Sequence, residues 1–182
     1  MRRSWKQLMV IVTAILVMAM AAAGSVQAHD NNTVTAVNKI SADINQSLNI
    51  EFRFRPGTLH IKHGATLTFR GGPPQPPFAF PEGVDPHTLS IVRRADLPQT
   101  LRELVDCEAG LCGEFLQAHD LEGASPNFVV NVGKAGLNRP GDSLLITNDH
   151  PVTTARVTAP AGTTLHYLCA VHPWMQGKLV VE

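Results

Sequence analysis

The chain carries no surplus of charge, with 15 Lys and Arg against 15 Asp and Glu over 182 residues. That balance leaves no basic patch for a nucleic-acid backbone and no polybasic segment for an anionic lipid surface. Long hydrophobic runs are missing too. The longest, Leu8 to Ala23, has 16 residues, short of the ~20 needed to cross a bilayer. Catalytic signatures are equally scarce: there is no H-E-x-x-H, no Ser-His-Asp pattern and no internal repeat. Cysteines number only three, too few for a disulfide scaffold.

What is present begins at the N-terminus. Arg2, Arg3 and Lys6 precede the apolar run, which leads into small residues ending Val26-Gln27-Ala28. This reads as a secretory signal over 1–28, cleaved after Ala28, with a retained anchor as the alternative. The Arg pair is a poor match to twin-arginine export, and no cysteine marks a lipoprotein site. Cleavage leaves one domain, 29–182, of 154 residues, with 12 basic against 15 acidic groups. That is long enough for a single core. A periplasmic or extracellular location follows, with no stable membrane insertion after cleavage.

In such a compartment Cys107 and Cys112, which flank only four residues, read as a disulfide. The alternative is a second metal held by Cys107 and His119. Cys169 is then the odd thiol.

Strict alternation in Leu48–Arg55 marks a half-buried strand ended by Pro56-Gly57. Shorter strands read at Leu59–Ile61, Thr66–Phe69, His87–Arg93, Phe128–Val132, Ser143–Thr147, Thr154–Thr158, Thr163–Cys169 and Lys178–Val181. Arg139-Pro140-Gly141-Asp142 has the residue order of a type II turn. The class is all-β, a Greek-key sandwich or barrel. One short helix is expected in an insertion over about 95–127. Asp96-Leu97-Pro98-Gln99 reads as its capping box, and Leu97, Leu101, Leu104 and Val105 as its apolar face. Gly71–Pro86 holds six prolines and reads as a stiff loop.

The chemistry concentrates in Cys169-Ala170-Val171-His172-Pro173-Trp174-Met175. Thiolate, imidazole and thioether on one short loop form a soft donor set that selects copper over magnesium or calcium, and one more histidine would complete a His₂Cys plane with a weak Met. Met175 is the only methionine beyond residue 28. Side chains two apart share a strand face. His87, Leu89 and Ile91 therefore point one way, as do Leu165, Tyr167 and Cys169, so that His87 and Cys169 can meet at one pole. His166 lies on the opposite face. The other histidines carry blander readings: His29 a tail residue, His60 and His63 solvated strand ends, His150 part of a turn.

From Pro160 to Glu182 the sequence resembles the ligand loop of the cupredoxins, its short C-x₂-H-x₂-M spacing being most similar to amicyanin and plastocyanin-type proteins. Pro56–Phe69 and His87–Val92 resemble the strands around that family's first copper histidine. The resemblance covers about two-thirds of 29–182, omitting the Pro-rich loop and the insertion. It implies one type 1 copper held by His87, Cys169 and His172 in plane with Met175 axial. Thr88 stands where the family often has Asn. A binuclear centre would need a second cysteine on the loop, and a multicopper oxidase His-x-His pairs; His60 and His63 are separated by Ile61-Lys62.

The implied function is a monomeric electron carrier, not an enzyme, serving redox partner proteins through the edge of His172. Pro173 and Trp174 form a candidate partner surface. The alternatives are copper storage or delivery without a redox role, and a cupredoxin-like structural domain without metal.

Overall fold

A computed structural model describes residues 32–42, 48–72, 86–121, 123 and 125–182. The expected signal, its cleavage site, His29 and most of the Pro-rich loop lie outside the described residues. Among the described residues ten strands form two sheets. One has the order β2-β1-β4-β8, from β1 (Thr33–Ala42), β2 (Leu48–Arg55), β4 (Thr66–Gly71) and β8 (Val152–Arg156). The other has the order β3-β10-β9-β5-β7-β6. Its members are β3 (Thr58–Ile61), β5 (His87–Val92), β6 (Val129–Val130), β7 (Ser143–Ile146), β9 (Thr164–Leu168) and β10 (Gln176–Val181).

The alternation read in the sequence is what places the core. Val34, Ala36, Phe54, Leu67 and Phe69 project from the first sheet against Leu59, Ile61, Leu89, Ile91, Leu165, Tyr167 and Leu179 of the second, all of them buried in one cluster. The two sheets thus bury their facing sides as a sandwich. Two pairings are parallel, β1 with β4 and β3 with β10. The turn before β7 takes the expected type II form, with Gly141 at φ +100° where an L side chain would be strained.

Strand β1 is absent from the expectations above. Its signal is present as Thr33-Val34-Thr35-Ala36, in which only Val34 and Ala36 are fully buried.

The insertion holds two helices where one was expected, α1 (Leu101–Ala109) and α2 (Leu111–His119). The capping box is Thr100 with Glu103, not Asp96 with Gln99. The Glu103 N–H donates to Thr100 Oγ1, and the Thr100 N–H donates to Glu103 Oε2 at 2.9 Å. Asp96 instead ends a 3₁₀ turn and receives both Nε–H and Nη2–H of Arg93. The expected apolar face is also corrected: Leu101 and Val105 of α1 are 78% and 66% exposed. The hairpin packs through Cys107, Cys112 and Phe115 onto Val92, Leu168 and Ala170. A disulfide joins Cys107 to Cys112 across the break at Gly110, which removes Cys107 as a metal partner for His119. Because the hairpin covers the outer face of the second sheet, β5 is buried at all six positions, unlike the one-faced strand its alternation describes.

Tyr167 carries the one buried polar side-chain atom without a partner among the described residues, its Oη. Gly177 lies opposite it in the β9–β10 register, where a Cβ would fall 2.5 Å from the phenol ring. Burial pushes the phenol pKa well above its usual value. Tyr167→Phe removes the orphaned hydroxyl and keeps the ring, so it is expected to raise stability by about 1 kcal/mol. Equilibrium denaturation checks this, and a loss of stability would show that the hydroxyl has a partner.

Candidate metal centre

His87 opens β5, and Cys169, His172 and Met175 lie between β9 and β10. The turn is closed by its own backbone. The Met175 N–H donates to the His172 carbonyl at 2.8 Å, and the Cys169 N–H to the Met175 carbonyl at 3.0 Å. This brings the loop back on itself, with Cys169 and Met175 both buried in the main core.

Three of the expected ligands converge. Cys169 Sγ lies 3.6 Å from His87 Nδ1 and 3.8 Å from His172 Nδ1, and the two Nδ1 atoms are 3.2 Å apart. A point in that triangle lies about 2 Å from all three donors, the length of metal–nitrogen and metal–sulfur bonds (~2.0–2.3 Å). The donor set and its spacing therefore fit a trigonal copper ion.

The ionisation states suit a ligand set. Burial, then the neighbouring His172, lowers the His87 pKa to about 3, so its ring is neutral at ordinary pH. Burial pushes the Cys169 thiol up, opposed by hydrogen bonds from the Thr88, His172 and Val171 backbones and from the Thr88 side chain.

Residues that the sequence did not single out hold the ligands in place. Asn38 of β1 accepts a hydrogen bond at Oδ1 from His87 Nε2–H at 2.7 Å, which fixes the ring with Nδ1 facing the other donors. Phe52 of β2 lies against His172, with ring centroids 4.4 Å apart. Thr88, the departure from the family's Asn, ties the two ligand segments together. Its N–H donates to Cys169 Sγ at 3.4 Å, and its Oγ1 accepts the Ala170 N–H at 2.7 Å. Asn38→Ala frees the outer edge of His87. It is expected to weaken copper binding by ~10–100-fold without unfolding the chain, measurable by competition with a copper chelator. Unchanged affinity would show that packing alone orients His87.

The remaining candidates separate clearly. Trp174 is 52% exposed and its ring lies 5.3 Å from that of His172. Pro173, the other residue of the expected partner surface, is buried. Its carbonyl accepts from Gln176 Nε2, which also donates to the Pro98 carbonyl, so the turn is drawn inward against the insertion. His60 pairs with Glu182, and the exposed His63 bonds the Ala159 carbonyl. His150 stacks on Phe128. His119 is fully buried beside Ser143 and Asn127.

No family model matches the chain, and no curated protein matches it. Among solved structures it is similar to oxidised plastocyanin from Dryopteris crassirhizoma, with 16% identity over 82% of this chain and 99% of that one and a TM-score of 0.39. It is similar to auracyanin A, a "blue" copper protein from Chloroflexus aurantiacus, with 21% identity over 82% and 99% and a TM-score of 0.34. A reduced mutant amicyanin shares 16% identity over 83% of each chain, with a TM-score of 0.30.

Proposed function

We propose that residues 29–182 form an exported mononuclear type 1 copper protein that carries single electrons between redox partners. The observation that carries this reading is the triangle of Cys169 Sγ, His87 Nδ1 and His172 Nδ1, whose edges of 3.2–3.8 Å leave room for one ion and no second donor plane. Bound copper supplies a Cu(II)/Cu(I) couple. The protein residues do the rest. Two imidazoles and one thiolate serve either oxidation state, so little has to move when an electron arrives or leaves. Met175, buried in the same core cluster as Cys169, would supply a further, weak thioether donor. The apolar cluster around both keeps water away and tunes the potential. His172 is only half-buried, with exposed Trp174 beside it, and this is the edge through which electrons pass. The chain acts as a monomer and has no substrate chemistry of its own.

Titration of the folded chain with Cu(II) tests this. Binding of one equivalent is expected to give an intense blue thiolate-to-copper absorption, narrow copper hyperfine splitting and reversible reduction. A colourless Cu(II) complex would overturn the proposal.

A further inference from the structure

The hairpin roofs only part of the outer face of the second sheet, and three basic side chains meet where the roof ends. Lys178 of β10 stands directly opposite His166 of β9, and Val92 of β5 stands opposite His166 on its other side. Leu165, Tyr167 and Leu179, their neighbours along the strands, are core residues, so His166 and Lys178 point outward together. Arg94 follows Val92 by two residues across an extended Arg93, which keeps it on the same face. Burial, then the charges of Arg94 and Lys178, hold the His166 pKa below the usual histidine value.

The insertion gives this row its shape. Leu168, two residues from His166, is buried beneath the hairpin, while Thr164 on the other side is exposed. Gln176, two residues before Lys178, donates to the Pro98 carbonyl, which brings the start of the insertion over that end of β10. His166 is therefore half-buried in a corner between sheet and insertion, with exposed Arg94 and Lys178 on either side.

The charges in this corner are uncompensated. None of the three side chains has a hydrogen-bond or ion-pair partner among the described residues. Acids of the adjoining elements are turned elsewhere. Asp96 takes Arg93, Glu103 takes the Gln99 and Thr100 N–H groups, Asp106 takes Arg102, and Glu182 takes His60. No carboxylate acts on the His166 ring, those of Glu108 and Glu114 on the hairpin included. Like charges directly opposite across two strands cost stability. A local conflict of this kind is characteristic of a binding site, where a ligand resolves it.

We propose that Arg94, His166 and Lys178 form a binding site for a tetrahedral dianion, sulfate or doubly charged phosphate. The guanidinium supplies a planar fork that matches two oxygens, the ammonium a point charge and the imidazole an N–H. Two permanent positive charges balance a dianion, whereas chloride or a single carboxylate leaves one of them unanswered. A bound dianion favours the protonated ring, whose charge then joins the site, so binding is tighter in acid. The site lies on the opposite face of β9 from the buried Cys169 and needs no metal.

The test titrates the metal-free full chain with sodium sulfate, and with sodium chloride at equal ionic strength, while following the His166 ring resonances. Sulfate stays doubly charged throughout, so any pH response belongs to the protein. Expected are saturable binding of one sulfate per chain, a His166 pKa raised by sulfate and not by chloride, and displacement by phosphate. Affinity is expected to be about tenfold higher below the His166 pKa than above it. Arg94→Gln and Lys178→Gln, both at exposed positions, should each weaken binding about tenfold with unchanged circular dichroism. Equal responses of His166 to sulfate and chloride would overturn the site. So would binding that persists at native strength in the double variant Arg94→Gln/Lys178→Gln. If a variant fails to fold, the comparison of the two salts in the native chain still decides.

Discussion

Cys169→Ser is expected to abolish the blue absorption entirely and to leave a chain that folds. The sulfur is the only soft anionic donor in the triangle with His87 Nδ1 and His172 Nδ1. A serine hydroxyl does not ionise at accessible pH, so neither the covalent thiolate bond nor its charge-transfer band can form. Copper affinity should fall by more than the ~10–100-fold that loss of an outer hydrogen-bond partner costs. The fold survives because Oγ is no larger than Sγ and can accept the Thr88 N–H that now reaches the sulfur. Absorption and EPR spectra of the variant mixed with Cu(II), alongside its circular dichroism, check both halves. A variant that stayed blue would place the copper elsewhere in the chain.

Copper affinity should also rise by at least about tenfold per pH unit through the neutral range, a hundredfold or more between pH 5 and pH 7. The sign follows from which ligand holds a proton in the metal-free chain. His87, lowered to about 3 by burial and by His172, is already neutral there and offers no competition. Cys169 is raised by burial and remains a thiol. Binding must expel that proton, so at least one proton leaves per copper, and the gain continues until the pH passes the raised thiol pKa. Isothermal titration in buffers of different ionisation enthalpy counts the proton directly. A flat affinity over that range would mean that the sulfur is already a thiolate before copper arrives.

The ligands were legible because they combine local spacing with strand parity. The C-x₂-H-x₂-M spacing lies within one turn, and the period-two rule is enough to send His87 inward with Leu89 and Ile91. Asn38 and Phe52 were not legible as supports. They sit on strands of the other sheet, and only the sandwich brings them to the same pole. The insertion misled for a different reason. Asp96-x-x-Gln99 and Thr100-x-x-Glu103 carry the same capping pattern four residues apart, and the arginine that claims Asp96 decides between them. Leu101 and Val105 have helical spacing but no surface to cover. Thr88, Ser90 and Val92 are buried because the hairpin covers that side of β5, and nothing in the strand itself announces it.

The two parallel pairings bear on how such a centre comes into being. β3 meets β10 with Thr58 opposite Lys178, and His87 reaches Cys169 across 82 residues. Contacts this distant are made late, since each requires closing a long loop before any gain is returned, and chains dominated by them fold in milliseconds to seconds. The triangle of Cys169, His87 and His172 therefore exists only once the sandwich has closed. A metal ion that binds at that stage cannot guide the chain to its fold. An ion held there would act on the return journey, tying β5 to the β9–β10 turn and slowing the first step of unfolding.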